Sequence, residues 1–136
     1  MDFLKLSLQG LDEFLVYFAL CFVFVAIFLS IYVRITPYRE ITLIREGNCA
    51  AAASLSGTLI GFVLPLAAAV EHSLNPYDLA IWATIALVVQ LVVYLATRAL
   101  LPDLGRAISA GKVASGVFLG ATSVGAGILN AACMGY

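Results

Sequence analysis

Three sets of side chains in this sequence could do chemistry. Ser54, Thr58, Gln90, Thr122 and Asn130 carry hydroxyls and amides inside long uncharged runs. An unpartnered polar group in hydrocarbon is costly, so each must face protein, as glue to a neighbouring helix or as the lining of a solute path. Arg34, Arg39, Arg45, Arg98, Arg106 and Lys112 cluster between those runs. Such a belt anchors helix ends by snorkelling, and the same charges can hold an anionic lipid headgroup or a substrate phosphate. Glu71, His72 and Asp78 stand near one another around a short link, with the only histidine of the chain among them. One histidine with scattered carboxylates is a poor metal set, and without a nearby nucleophile it is a poor catalytic centre. This third set reads as a solvated helix end, or as a proton- or cation-sensing mouth. No enzyme, no cofactor and no bound metal are expected.

The elements that must position these residues follow from composition and run length. Of 136 residues, 63% are apolar and 11% charged. A soluble domain is roughly a quarter charged, so hydrocarbon rather than water is the solvent for most of the outer face. The net charge of −1 offers no field for nucleic acid. Cys21, Cys49 and Cys133 form no paired motif and read as small apolar side chains. Uncharged or nearly uncharged runs cover residues 14–33, 49–70, 76–101 and 113–133. Each matches the roughly 20 helical residues that cross about 30 Å of hydrocarbon. An unpaired strand would leave its amides unsatisfied in lipid, and the alternating polarity of a barrel is missing. The expected class is therefore all-α, a polytopic membrane protein with four transmembrane helices in a single domain. Asp12 and Glu13 precede the first run, which is too long and wrongly flanked for a cleaved secretory signal. Asn75, Pro76 and Asp78 form a helix start, while Pro37 and the Pro102-Asp103 pair interrupt helices at the two basic turns.

Small residues recur four apart on the second and fourth runs. The second contains Gly57 and Gly61, and the fourth contains Gly116 and Gly120, then Ala121 and Gly125. Such ridges let backbones approach closely where lipid supplies no hydrophobic drive between helices. Packing is the first reading; a narrow path lined by exposed backbone and hydroxyls is the second. Pro65 removes one helical hydrogen bond and frees the carbonyl of Gly61 one turn earlier, beside that ridge.

A shift of 64 residues lays Arg34 on Arg98, Gly47 on Gly111, Thr58 on Thr122 and Gly61 on Gly125. This suggests two parallel two-helix repeats, about 12–72 and about 76–136. Pro65 meets Leu129 and the Ala26 position meets Gln90, so the halves are not interchangeable. Six of the seven basic residues lie in the turns after the first and third runs. The positive-inside rule then puts both basic turns in the cytoplasm and both termini outside.

The residues Pro37-Tyr38-Arg39-Glu40, then Ile44-Arg45-Glu46-Gly47-Asn48-Cys49, Gly61-Phe62, Leu101-Pro102-Asp103-Leu104 and Leu129-Asn130-Ala131-Ala132-Cys133-Met134 carry a resemblance to the YjfL-like family of bacterial inner-membrane proteins of unknown function. The resemblance covers nearly the whole chain. It implies a multi-pass protein of the bacterial inner membrane with a duplicated helix pair, and a setting in polyamine or envelope-stress biology.

The reading that results is a homo-oligomeric channel-like or solute/ion-permeation unit, with a dimer as the expected assembly and membrane lipids as its surroundings. The alternative is a non-transporting scaffold whose basic loops recruit a cytoplasmic or membrane protein partner.

Overall fold

The computed structural model describes residues 2–134, and every regular element among them is helical. In chain order these are α1 (Asp2–Ile35), α2 (Glu40–Arg45), α3 (Cys49–His72), α4 (Pro76–Leu100), α5 (Leu104–Ser109) and α6 (Val113–Cys133). The helices α1, α3, α4 and α6 are long and apolar enough to cross a membrane.

The first helix is longer than the run that marked it. Its 34 residues extend about 51 Å, so the segment before residue 14 continues well past what a bilayer core requires. The physical reason is local: leucines, Lys5 and Gln9 favour helix, charges are tolerated on a helix outside hydrocarbon, and no proline intervenes before Pro37.

The two basic turns also contain more order than a polar linker requires. Each folds into a six-residue helix, α2 or α5, whose first residues are 64 positions apart, as are those of α3 and α6. Gly47 and Gly111 end the short helices with φ of +87° and +83°. In both turns the glycine amide bonds back three residues and the next amide five, the Schellman pattern that satisfies the last carbonyls. Asn48 then does double duty. Its Oδ1 accepts from the Ala51 amide at 3.0 Å to cap α3, while its Nδ2 donates to the Ile108 carbonyl at 2.8 Å, tying one turn to the other. Lys112, at the matching place, makes no side-chain cap.

α3 and α6 lie side by side at the centre, α4 packs on both, and α1 rests against α3 and α4 through its second half. The two small-residue ridges meet each other within one chain. A Cβ on Gly57 would fall on the Gly120 backbone, one on Gly61 on the Ser123 carbonyl, one on Gly116 on the Ala50 carbonyl and one on Gly127 on the Gly61 carbonyl. Backbone touches backbone along this seam, and contact order along both helices shows them to be parallel. Gly125 is outside it, with nothing within 4 Å of the place its Cβ would take.

Candidate functional site

A buried polar column begins at the basic end of the bundle and stops near its middle. Its inner terminus is built around Pro65, which lies in α3 and is buried. Proline has no amide hydrogen, so the Gly61 carbonyl loses its helical donor. Gln90 of α4, 3% exposed, supplies a replacement: its Nε2 donates to the Gly61 carbonyl and is 3.5 Å from that of Ser123. The amide that the sequence required to face protein thus meets the carbonyl that the proline frees. Gln90 Oε1 stays buried without a partner.

One layer nearer the basic end, the hydroxyls of Ser123 and Thr58 are 3.4 Å apart, and Thr58 donates to the Tyr32 hydroxyl over 3.4 Å. The Tyr32 ring sits edge-on to that of Tyr94, with centroids 5.2 Å apart. Toward the other end the column is closed by Phe28 stacked on Phe62 at 4.5 Å, and behind them by Leu66, Ala69, Leu79 and Ala83.

The terminus at the basic end is Glu40, the first residue of α2. It is 1% exposed, and neither carboxylate oxygen has a hydrogen-bond partner. Its surroundings are Thr36, Tyr38, Tyr32 and Tyr94. Thr36 spends its hydrogen on the carbonyls of Val33 and Tyr38, at 3.2 and 3.4 Å. Burial pushes the Glu40 carboxyl above the usual carboxylate range; the Thr36 hydroxyl and the Glu40 backbone amide lie close enough to oppose the shift weakly, but neither meets hydrogen-bond geometry to the carboxyl. Burial likewise pushes the Tyr38 phenol up to about 12, with Glu40 adding to the shift and the Ser54 and Tyr32 hydroxyls opposing it. The Tyr38 hydroxyl is also buried without a partner. A cleft of about 500 Å³, bordered by Val33, Pro37, Arg39 and Thr42, lies against this seat.

Glu40 was not among the residues singled out from sequence, because it sits in a stretch rich in charge. A usable signal existed: in the 64-residue register Glu40 falls on Leu104, and both are buried, at 1% and 2% exposure. The fold puts a carboxyl where its other half puts a leucine.

The other singled-out residues distribute as follows. Ser54 and Thr58 are buried, and Ser54 donates to the Ala51 carbonyl within its own helix. Thr122 is half-buried. Asn130, near the far end of α6, has a buried Nδ2 without a partner. Arg34, Arg39, Arg45, Arg98, Arg106 and Lys112 are all exposed around the basic end, where Arg98 also reaches the Ile35 carbonyl at 3.5 Å. At the opposite end Glu71 and His72 are exposed. Asp78 serves the start of α4: its Oδ2 accepts from the Leu74 amide at 3.1 Å, and its amide donates to Asn75 Oδ1 at 2.9 Å. Among the described residues no three metal-ligating side chains gather.

The arrangement at Gly61 makes a coupled prediction. Gln90→Leu strands the Gly61 carbonyl and is expected to cost about 1 kcal/mol, near the usual value of a polar contact within a membrane. Pro65→Ala restores the helical donor, so in that background Gln90→Leu costs less. Unfolding of the two single variants and the double variant in detergent measures the difference, and strict additivity would refute the coupling.

The family model described as "Domain of Unknown Function (DUF350)" matches residues 5–134. The chain is 42% identical over 127 residues to the UPF0719 inner membrane protein YjfL of Escherichia coli strain K12, spanning 93% of this chain and 96% of that one. The same figures hold for the protein of that name from Escherichia coli O157:H7. No solved structure matches. Four apolar spans and a match along almost their whole length lead to one conclusion: the chain belongs to the DUF350 family and is a multi-pass inner-membrane protein.

Proposed function

We propose that this protein is a permeation unit, a homo-oligomeric channel-like assembly passing a small solute or ion, in which the buried polar column forms the cytoplasmic half of the route. The observation that carries the reading is that column: hydroxyls and an amide from all four spans converge inside a bundle otherwise filled with apolar side chains. Buried polar groups are expensive in a membrane and commonly mark solute or ion pathways. The Phe28–Phe62 layer is the closed barrier, and its parting opens the outer half. The α3–α6 seam is too tight to be the path, so the route runs on the α1 and α4 side of α3. No catalysis, cofactor or metal enters this reading.

The proposal includes two parallel helix pairs arisen by duplication, both basic turns in the cytoplasm, and both termini outside. Matching positions of α2 with α5 and α3 with α6 support the duplication, and the charge of the turns supports the orientation. Cys49 and Cys133, both exposed, lie at opposite ends of their helices. A membrane-impermeant maleimide applied to spheroplasts is expected to modify Cys133 and spare Cys49; the reverse pattern would invert the topology. A dimer is part of the proposal; because the two small-residue ridges meet within one chain, the contact between copies uses another face.

Purified protein in liposomes tests permeation. Flux of protons, alkali cations or small polar solutes is expected, falling at least about tenfold in Thr58→Val with Ser123→Ala, as loss of a column's polarity removes its favourable sites. Absence of flux under every ionic and pH condition sinks the reading. The scaffold alternative rests on the six exposed cations of the basic end. Charge reversal at Arg39 and Arg45 then releases a bound cytoplasmic partner; retention of that partner refutes it.

A further inference from the structure

We propose that Glu40 is a proton-binding site at the mouth of the column, binding one proton as the neutral acid while α2 is seated on the bundle and giving it up to water in the neighbouring cleft when α2 lifts. The inference rests on the permeation reading for its functional meaning, and on independent geometry for the site.

Three observations carry it. Both Glu40 oxygens are shielded from solvent and without a partner, which a carboxylate tolerates poorly and a carboxylic acid tolerates better. The matching first residue of α5 is Leu104, which is just as buried, so the fold holds an uncharged side chain at that place in its other half. Glu40 itself borders the cleft beside α2, together with Thr36, Tyr38 and Thr42, so lifting α2 turns the carboxyl toward that space.

Among the described residues, no cation pairs with the Glu40 carboxyl. Tyr38 comes from its own loop, Tyr32 from α1, and Tyr94 from α4 with Arg98 behind it, while α3 contributes the Ser54 hydroxyl beside Tyr38. Arg39 precedes Glu40 and is exposed. A proton is the ligand that fits a single buried carboxyl with no partner; a metal ion would require more oxygen ligands directed at one point than this seat offers.

Proton loss places a charge in that seat, and α2 can relieve it only by exposing Glu40. The mouth of the column then opens. Proton binding returns α2 to the bundle and shuts it.

The test uses the full chain in liposomes of phosphatidylethanolamine and phosphatidylglycerol. Infrared difference spectra across a pH titration are expected to reveal a protonated-carboxyl band, lost at higher pH than the exposed carboxyls titrate and missing from Glu40→Gln and Glu40→Leu. Hydrogen exchange provides the second readout, with α5 as an internal control. Exchange in α2 relative to α5 rises with pH in the wild type and stays constant in Glu40→Leu, a side chain that the fold already accommodates at Leu104. Absence of a Glu40-dependent band, or α2 and α5 exchanging in constant ratio in the wild type, overturns the proposal. Flux equal in wild type and Glu40→Leu at every pH overturns the gate while permeation stands. A wild type without flux sinks permeation instead, and the band and exchange ratio still decide whether Glu40 binds the proton.

Discussion

Leucine at Gly57, Gly116 or Gly127 is expected to unfold the bundle, not merely to separate copies of it. Each of these glycines faces backbone of the partner helix across the α3–α6 seam. Backbone cannot swing aside as a flexible side chain can, so a new side chain forces two central helices apart along their length. Overpacking in ordinary cores costs about 1 to 3 kcal/mol, and a clash against backbone at the central seam should exceed that, at about 3 kcal/mol or more. Thermal unfolding in detergent, followed by circular dichroism, measures it. Gly125→Ala is the control: its Cβ enters open space, and the change should stay within about 0.5 kcal/mol. A Gly57→Leu variant that kept its unfolding temperature and lost only self-association would place the ridge at a subunit boundary and refute the seam.

The second large effect is on the pH dependence of stability. Glu40 holds its proton more tightly folded than unfolded, because burial raises its folded pKa above the ordinary value of 4.5. Over the window between those values the native state binds more protons than the unfolded state, so stability declines as pH rises through it. Below the window the contribution is fully present, and above it the loss is complete. A paired carboxylate would have the opposite slope. Glu40→Leu removes the slope, and at neutral pH it is expected to raise stability by about 1 to 3 kcal/mol, the usual cost of a buried polar group without a partner. Denaturation midpoints from pH 4 to 8 in both proteins read the effect directly. A wild type that gains stability over that range, while the variant does not, would mean that Glu40 is ion-paired.

How far such features can be read from sequence depends on whether the cause is local. Spans were legible because hydrocarbon imposes a length and forbids charge, and Gln90 had to turn inward because lipid offers an amide nothing. The link from Pro65 to the Gly61 carbonyl was legible for the same reason, since proline's missing hydrogen is covalent chemistry. The donor was not, because only the packing of α4 on α3 brings Gln90 to that carbonyl. The glycine ridges announced close contact without naming a partner, and two ridges in one chain fit a second copy as well as each other. Glu40 escaped notice because a glutamate among arginines looks solvated; its burial depends on α2 folding back, which needs the left-handed turn at Gly47 and the Asn48 tie to the neighbouring loop. The extension of α1 over residues 2–13 was missed because hydropathy marks where a helix is apolar, not where it stops.

The seam also sets a schedule for making the protein. Gly57 and Gly120 are separated by more than 60 residues, and Gly61 touches Gly127 across a similar interval. At about 5 to 20 residues per second, a ribosome needs several seconds to supply the second ridge after the first has formed. During that interval α3 waits in the bilayer with an open notch, and for its first half the Gly61 carbonyl also lacks the donor on α4. Until α6 arrives, the small-residue face of α3 is left to lipid, which a glycine ridge fits poorly.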